Sequence, residues 1–446
     1  MPTSPLAAAT LDHEAESLLS RLARVRPFAL TTPMLTAANV PPAAARAIEH
    51  HLVAGRRRLR KLAHRYLAWL RGPAGRGAGD AEAQRRLAFL RLRFNAILHQ
   101  FDIFADVLGQ RAEADNGVWL AGLDSLAADA LRLPGGHYQA PPAVTYLDRG
   151  HGAAIRRART RLPGGDENPV AVIRIPRERM VGSGIASSLV HEVGHQGAAL
   201  LDLVDSLRRA LRAERQRASG ETARAWGLYE RWISEIVADF WSLAQVGVAA
   251  TQGLIGVVSL PRAFVFRLQL DDPHPFPWIR VKLSVAFGAA LYPDPQWGAL
   301  DALWERFYPR RGLDAGKLAV IASLEAVLPA FVRLLAGHRP AKLGGRPLAA
   351  AFDTAARRPD RLRALWARWR RRPIELRHVA PSLAFAVLGQ AKQDRRLGAE
   401  EESRLVADLL RHWAVVTALT GDEIPATCRP VTRRAVAPVS TRTQAA

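Results

Sequence analysis

Cysteine is almost absent from this chain. The 446 residues contain a single cysteine, Cys428. One thiol excludes an internal disulfide and any zinc site that is built from cysteines. A chain without disulfides is typical of a reducing compartment, and we expect a cytoplasmic protein.

Lysine and acidic residues are scarce beside arginine. Five lysines stand against 58 arginines, and with 41 acidic residues the formal net charge is +22. Such a charge fits binding to nucleic acid or to an anionic membrane surface. The arginines are spread over the whole chain, however, and the chain is also rich in alanine, glycine and proline, as coding from a GC-rich genome would produce. We therefore do not expect nucleic acid as a partner, and interpret the basic run at 56–61 as a solvated helix face, with nucleic-acid contact as the alternative.

A clear membrane segment is also lacking. Residues 240–261 carry no formal charge over 22 positions, a length that could span a bilayer. They include glutamine, threonine, serine, glycine and proline, so we predict a buried helix end, a glycine-rich turn and a further apolar segment instead of an integral membrane helix. The first residues lack the basic and apolar regions of a secretory signal, and we expect none.

Helical patterning is what the chain has in abundance. Apolar residues recur at helical spacing over about 11–25, 42–70, 81–111, 117–132 and again within 299–420. Short apolar runs at 144–147 and 170–175 predict strands, so we predict a mainly α fold with a small α+β core. The predicted parts are an N-terminal helical domain (1–138), the α+β core (139–298), a C-terminal helical domain (299–420) and a disordered tail (421–446).

The run His191-Glu192-Val193-Gly194-His195 carries the strongest chemical signal. Residues four apart lie on one face of a helix, so His191 and His195 can bind one metal ion together. Glu192 lies beside them and can act as a base on a metal-bound water. The motif lies in a helix predicted over 184–214. Its apolar neighbours and the strand predicted just upstream favour this interpretation over a helix with two surface histidines.

A third ligand is expected downstream. Catalytic zinc usually takes three protein ligands, the third being histidine, aspartate or glutamate, and leaves one position for water. A histidine in the long metzincin pattern would need glycine at 198 and histidine at 201, and the chain has Ala198 and Leu201, which excludes that class.

The helix predicted over 222–246 offers Glu235, with Asp239 on the same face. Two carboxylates in so apolar a helix are costly unless a metal ion and a metal-bound histidine compensate them. The alternative is an acidic pair that faces solvent.

These motifs resemble the gluzincins, zinc metallopeptidases with His-Glu-x-x-His and a downstream glutamate. The resemblance is closest to the group that includes the membrane-bound heat-shock endopeptidases and the CAAX prenyl proteases. That group has Glu-x-x-x-Asp with alanine before the aspartate, as at 235–239, and often His-Pro with arginine six residues after the histidine, as in His274, Pro275 and Arg280. The resemblance covers residues 185–282, and the spanning helices of the membrane members have no counterpart here.

The resemblance implies a zinc-dependent metalloendopeptidase with a zincin-like core and a protein or peptide substrate. It implies that zinc is held by His191, His195 and Glu235, that Glu192 is the general base, and that Asp239 and Arg280 support the site. An alternative is a non-catalytic scaffold or assembly protein with a structural or vestigial zinc site, although such a site has no use for a general base.

Two further features of such a site can be assigned candidates. For the donor to the oxyanion, His274 comes first, with Tyr229, Tyr292 and Arg280 behind it; His274 could instead cap the helix that holds Arg280, and Arg280 could pair with Asp239. A further possible site residue is His151. We also expect the strand at 170–175 to be an edge strand that pairs with an extended substrate.

Overall fold

Helices make up most of the chain, as the sequence predicted. The computed structural model describes residues 2–149, 152–163, 165–177, 182–269 and 271–420. The first helices are α1 (Pro5–Arg24), α2 (Pro42–Arg71), α3 (Pro73–Gly77), α4 (Asp80–Gly109) and α5 (Ala114–Leu131). The tail predicted at 421–446 lies outside the described residues.

After a small sheet, helices continue to residue 420. The central helices are α6 (Gly184–Leu200), α7 (Leu203–Arg217), α8 (Gly220–Val246), α9 (Val248–Val258), α10 (Arg262–Val265) and α11 (Pro277–Leu291). The later helices are α12 (Gln296–Phe307), α13 (Ala315–Gly337), α14 (Pro359–Arg371), α15 (Pro381–Gln393) and α16 (Ala399–Thr420).

The sheet has three strands, β1 (Ala143–Asp148), β2 (Ala154–Arg156) and β3 (Ala171–Pro176), in the order β1-β3-β2. β3 pairs with β1 in parallel and with β2 antiparallel. The mainly α fold with a small α+β core is thereby confirmed. The prediction that the strand at 170–175 is an edge strand is wrong, because β3 is paired on both sides and β2 is the edge strand next to it.

The buried apolar residues form two clusters, with the sheet between them. One cluster joins α1, α2 and α4 to one face of the sheet, which includes Val172. The other joins α5 and the helices that follow the sheet to the opposite face, which includes Ile173. Neighbouring residues of a strand point to opposite faces, so β3 contributes to both clusters.

The metal-motif helix is shorter than predicted. The sequence predicted one helix over 184–214, but α6 ends at Leu200 and α7 starts at Leu203. Asp202 between them has a left-handed backbone with φ 53°, which an aspartate tolerates better than most residues. The Lys342 ammonium donates to the Leu200 carbonyl at 2.9 Å and lies 2.6 Å from the Asp202 carboxylate. A cation on the last carbonyls stabilises a helix end, so a residue far along the chain helps to end α6 here.

The uncharged stretch at 240–261 forms the end of α8 and all of α9, with a break at Gly247, whose φ is 58°. By length and composition alone, one described helix could cross a membrane. That helix is α13, and 39% of its most apolar 18-residue stretch is buried within the protein. For this region the sequence predicted only helical patterning, within 299–420.

Candidate metal centre

Two glycines on α6 allow it to approach α8 closely. A methyl group on Gly194 would lie 2.8 Å from the Cα atom of Ala238 and 2.9 Å from its carbonyl oxygen. A methyl group on Gly197 would lie 2.4 Å from the ring of Trp241. All three distances are shorter than the ~3.5–4.0 Å of an ordinary carbon contact, so only glycine fits at this crossing. The absence of a side chain at these two positions therefore lets α6 approach α8, which places the histidines of α6 against the carboxylates of α8.

The three predicted metal ligands converge at this crossing. Nε2 of His191 lies 3.2 Å from one carboxylate oxygen of Glu235, and Nε2 of His195 lies 3.5 Å from the other. One ligand atom from each residue lies within 4.8 Å of the other two. Two imidazole nitrogens and one carboxylate form a donor set that divalent metals accept, so this largely buried group could hold a metal ion.

Asp239 orients one of the ligands. Its Oδ1 atom lies 2.7 Å from Nδ1 of His191, and since a carboxylate only accepts, Nδ1 must donate. This leaves Nε2 of the ring to face Glu235. Arg280 from α11 holds Asp239 in turn, through Nε at 2.6 Å and a terminal nitrogen at 2.9 Å. The ring orientation is therefore set by a chain of hydrogen bonds that crosses three helices.

The charges of this cluster stabilise one another. Burial by itself would lower the pKa of His191, but the Asp239 carboxylate outweighs it and raises that pKa to about 9. Burial would raise the pKa of Asp239, but Arg280 and then His191 hold it at about 2. Against the same effect of burial, the two imidazoles hold the pKa of Glu235 well below its usual range. Both carboxylates are thus ionised at neutral pH.

Glu192 differs from the other carboxylates of the site, because no described residue forms a hydrogen bond or an ion pair with it. Its residue is only 8% exposed and it lines the same cavity as the metal ligands. A buried carboxylate is usually paired, so this one is available for a proton or a ligand.

His274 reaches the site from the loop before α11. Its Nε2 atom lies 3.3 Å from Glu235, while Asp272 accepts from both its Nδ1 atom at 2.8 Å and its backbone N–H at 2.9 Å. The side chain is 50% exposed. Asp272 therefore fixes a solvent-accessible imidazole at the rim of the site, and Arg280 lies in the same cavity but is already bound to Asp239.

The two tyrosines proposed as oxyanion donors are in the core and not in the site. The hydroxyl of Tyr229 donates to the Leu324 carbonyl at 2.9 Å, and that of Tyr292 donates to the Ala244 carbonyl at 2.8 Å. Burial raises the pKa of both hydroxyls. Their assignment as site residues is wrong. His151 lies outside the described residues.

A cavity of about 570 Å³ opens over the candidate ligands. β2 and the residues around it, 152–155, form one wall. Ala250, Leu254 and Val257 of α9 form an apolar wall. Neither wall was predicted from the sequence, although Leu254 and Val257 lie within the uncharged stretch 240–261. The cavity is therefore a cleft with a group that could hold a metal ion, a strand edge and a carboxylate that is unpaired among the described residues.

Comparisons with protein-family models, with curated proteins and with solved structures found no match.

Proposed function

We propose that this chain is a zinc-dependent metallopeptidase that hydrolyses peptide bonds in a protein or peptide substrate. The observation that carries the proposal is the convergence of His191, His195 and Glu235, with Asp239 hydrogen-bonded to one ligand ring. Two histidines and one carboxylate match the three-ligand sets of catalytic zinc, which leave a position open. Zinc held there would supply a Lewis acid for the scissile carbonyl and a bound water of lowered pKa.

Glu192 is the general base in this proposal. It follows the first ligand in the chain, lines the cavity and has no competing partner among the described residues. Its carboxylate takes the proton of the attacking water and gives it to the leaving amine. A purely structural metal site would leave this buried charge without a role, and that counts against the alternative of a non-catalytic scaffold.

His274 is the donor to the developing oxyanion. Asp272 accepts from Nδ1, which leaves Nε2 of the ring facing the site at 3.3 Å from Glu235. In its imidazolium form, in which both ring nitrogens carry hydrogen, the ring donates from Nε2 and stabilises the charge that appears on the carbonyl oxygen as water attacks. Arg280 supports the site through Asp239 and does not act on the substrate.

The substrate binds as an extended segment along β2. This edge strand has one side free of β3, and Ala154 and Ile155 line the cavity. Unpaired backbone groups of an edge strand accept a further strand, and such pairing positions a peptide without regard to most of its side chains. The apolar wall of α9 faces the cavity and accommodates an aliphatic or aromatic side chain.

The family and the compartment are proposed as well, the compartment from the scarcity of cysteine. We propose a gluzincin-type enzyme similar to the heat-shock endopeptidase and CAAX prenyl protease group, acting in the cytoplasm. Its three supporting features are the His-Glu-x-x-His motif on α6, the Glu235–Asp239 pair on α8, and the Asp239–Arg280 ion pair.

The first test is metal content by mass spectrometry. We expect about one zinc per chain in the wild type, and loss of zinc in His191→Ala and Glu235→Ala. His99→Ala, which changes an exposed histidine of α4, is the matched control and keeps the metal. A folded wild type that contains no zinc and takes up none would refute the proposal.

The second test separates the enzyme from the scaffold. Glu192→Gln preserves the size of the side chain and removes the base, so we expect zinc to be retained while hydrolysis of quenched fluorescent peptides falls by roughly 10²–10⁴-fold. Zinc in both proteins without hydrolysis of any peptide by the wild type would favour the scaffold.

A further inference from the structure

One cation in the cavity is not explained by the proposed chemistry. Arg157 directly follows β2 and lines the cavity together with His191 and Glu192. It is half-buried, and no ion pair joins its guanidinium to another residue in the ranges that the structure describes. The other arginine of the cavity, Arg280, is already neutralised by Asp239 at 2.6 Å.

The backbone at Arg157 is held in place from two directions. The side chain of Asn168, which is buried, donates to the carbonyls of Arg156 at 3.0 Å and of Arg157 at 3.2 Å. On the other side, the N–H of Ala158 donates to the side chain of Gln196 at 2.8 Å. Gln196 directly follows the ligand His195 on α6, so the segment is tied to the metal helix itself.

The alternation of β2 separates Arg157 from its neighbour. Residues two apart in an extended chain lie on one face, so Arg157 lies on the side of Ile155. Arg156 points the opposite way, is exposed and lines a neighbouring cavity of about 480 Å³ instead of the metal cavity. Arg157 borders both cavities. The chain therefore offers two adjacent arginines, of which one reaches the proposed active site.

We infer that Arg157 binds a carboxylate of the substrate, so that peptides with an acidic side chain or a free C-terminus near the scissile bond are preferred. This inference rests on the proposed peptidase function. A guanidinium matches a carboxylate with two parallel hydrogen bonds, and a backbone fixed in advance lowers the entropy cost of forming them. Glu192 would repel a substrate carboxylate, whereas Arg157 would attract it. The favourable position for that carboxylate in this cavity is therefore beside Arg157.

The test uses quenched fluorescent peptides with one neutral core sequence. One set carries glutamate scanned through each position with an amidated end, a second carries glutamine at the same positions, and a third has the glutamine core with a free C-terminus. We expect the wild type to cleave the best acidic form with a kcat/KM roughly 10- to 100-fold above the neutral amide, mainly through KM, as expected for hydrogen bonds to a charged group. The comparison of the first and third sets identifies which carboxylate is bound.

Variants at two adjacent positions assign the effect. Arg157→Gln should remove the preference, so that acidic and neutral peptides are cleaved alike, Arg157→Lys should restore part of it, and Arg157→Glu should shift the preference to peptides with lysine. Arg156→Gln is the matched control and should keep the wild-type preference. A wild type that cleaves all three sets equally, or a preference that survives Arg157→Gln, would overturn the inference.

A binding measurement distinguishes failure of the inference from failure of the proposed function. Fluorescence anisotropy of labelled acidic and neutral peptides on the Glu192→Gln protein needs no turnover. Tighter binding of the acidic peptides by tenfold or more, lost in Glu192→Gln/Arg157→Gln, would support the carboxylate site even where no peptide is hydrolysed. Equal binding of both peptides, together with no preference in cleavage, would remove the carboxylate site whether or not the chain is a peptidase.

Discussion

The closeness of α6 and α8 provides the sharpest test of how the fold builds the metal centre. In Gly194→Ala, the added methyl group would lie 2.8 Å from the Cα atom of Ala238 and 2.9 Å from the Cβ atom of Trp241. Carbon atoms in contact normally stay ~3.5–4.0 Å apart, so the helices must separate by roughly 1 Å. The closest clash involves the backbone of α8, which a change of rotamer cannot relieve.

This separation exceeds what a metal site tolerates. Ligand distances in such sites hold within about 0.2 Å, so Glu235 on α8 can no longer complete the set formed by the histidines of α6. We expect the metal affinity to fall by about 10- to 100-fold, the range found when an orienting residue is lost. Overpacking should also lower the free energy of unfolding by about 1–3 kcal/mol.

The assay is a chelator competition on metal-stripped protein, with circular dichroism to show that the helices remain. Gly256→Ala is the control, because Gly256 also lies in a helix and a methyl group there meets no atom within 4 Å. It should keep the wild-type affinity and equal or exceed the wild-type stability. Wild-type metal affinity in a folded Gly194→Ala protein would refute the argument that the helix crossing sets the ligand geometry.

Three further predictions follow from the hydrogen bonds of the site and its surroundings. Asp239→Asn weakens the partner of the His191 ring, so we expect metal affinity to fall by about 10- to 100-fold in the same competition assay, and an unchanged affinity would contradict the role of this carboxylate. Metal affinity of the stripped protein should rise about tenfold per pH unit from 7 to 9 and then level off, because the pKa of His191 is raised to about 9 and the proton on its ring must leave before Nε2 can bind; a flat profile would argue against this ligand. Tyr229→Phe and Tyr292→Phe should leave peptidase activity unchanged and lower the free energy of unfolding by about 1 kcal/mol each, measured by urea denaturation. A large loss of activity in either folded tyrosine variant would contradict this prediction and indicate that the hydroxyl acts in the site.

The ligands on each helix could be predicted from the sequence because their relation is local. His191 and His195 share a face by helical spacing alone, and the same holds for Glu235 and Asp239. The cost of two carboxylates in an apolar helix was a sufficient signal that something compensates them. The helix that holds Arg280, α11, begins at Pro277, and proline is favoured at the first position of a helix.

Other features depend on contacts between residues far apart in the chain, and these features were predicted wrongly or not at all. The end of α6 at Leu200 depends on Lys342, more than a hundred residues away. The burial of Tyr229 depends on α13, since its hydroxyl donates to the Leu324 carbonyl. Neither contact leaves a local pattern of spacing or composition that could be read in advance.

The sequence by itself determined the chemistry available to this protein. It supplies a pair of histidines and a pair of carboxylates, each pair at helical spacing, and a base next to the first histidine. Only the tertiary structure decided that both pairs meet across Gly194, that β3 is central and β2 forms the cavity wall, and that Arg157 lines the cavity without an ion pair to another described residue. The physical reason is that helical periodicity is a property of neighbouring residues, whereas strand order, helix crossing and burial are set by packing between distant segments.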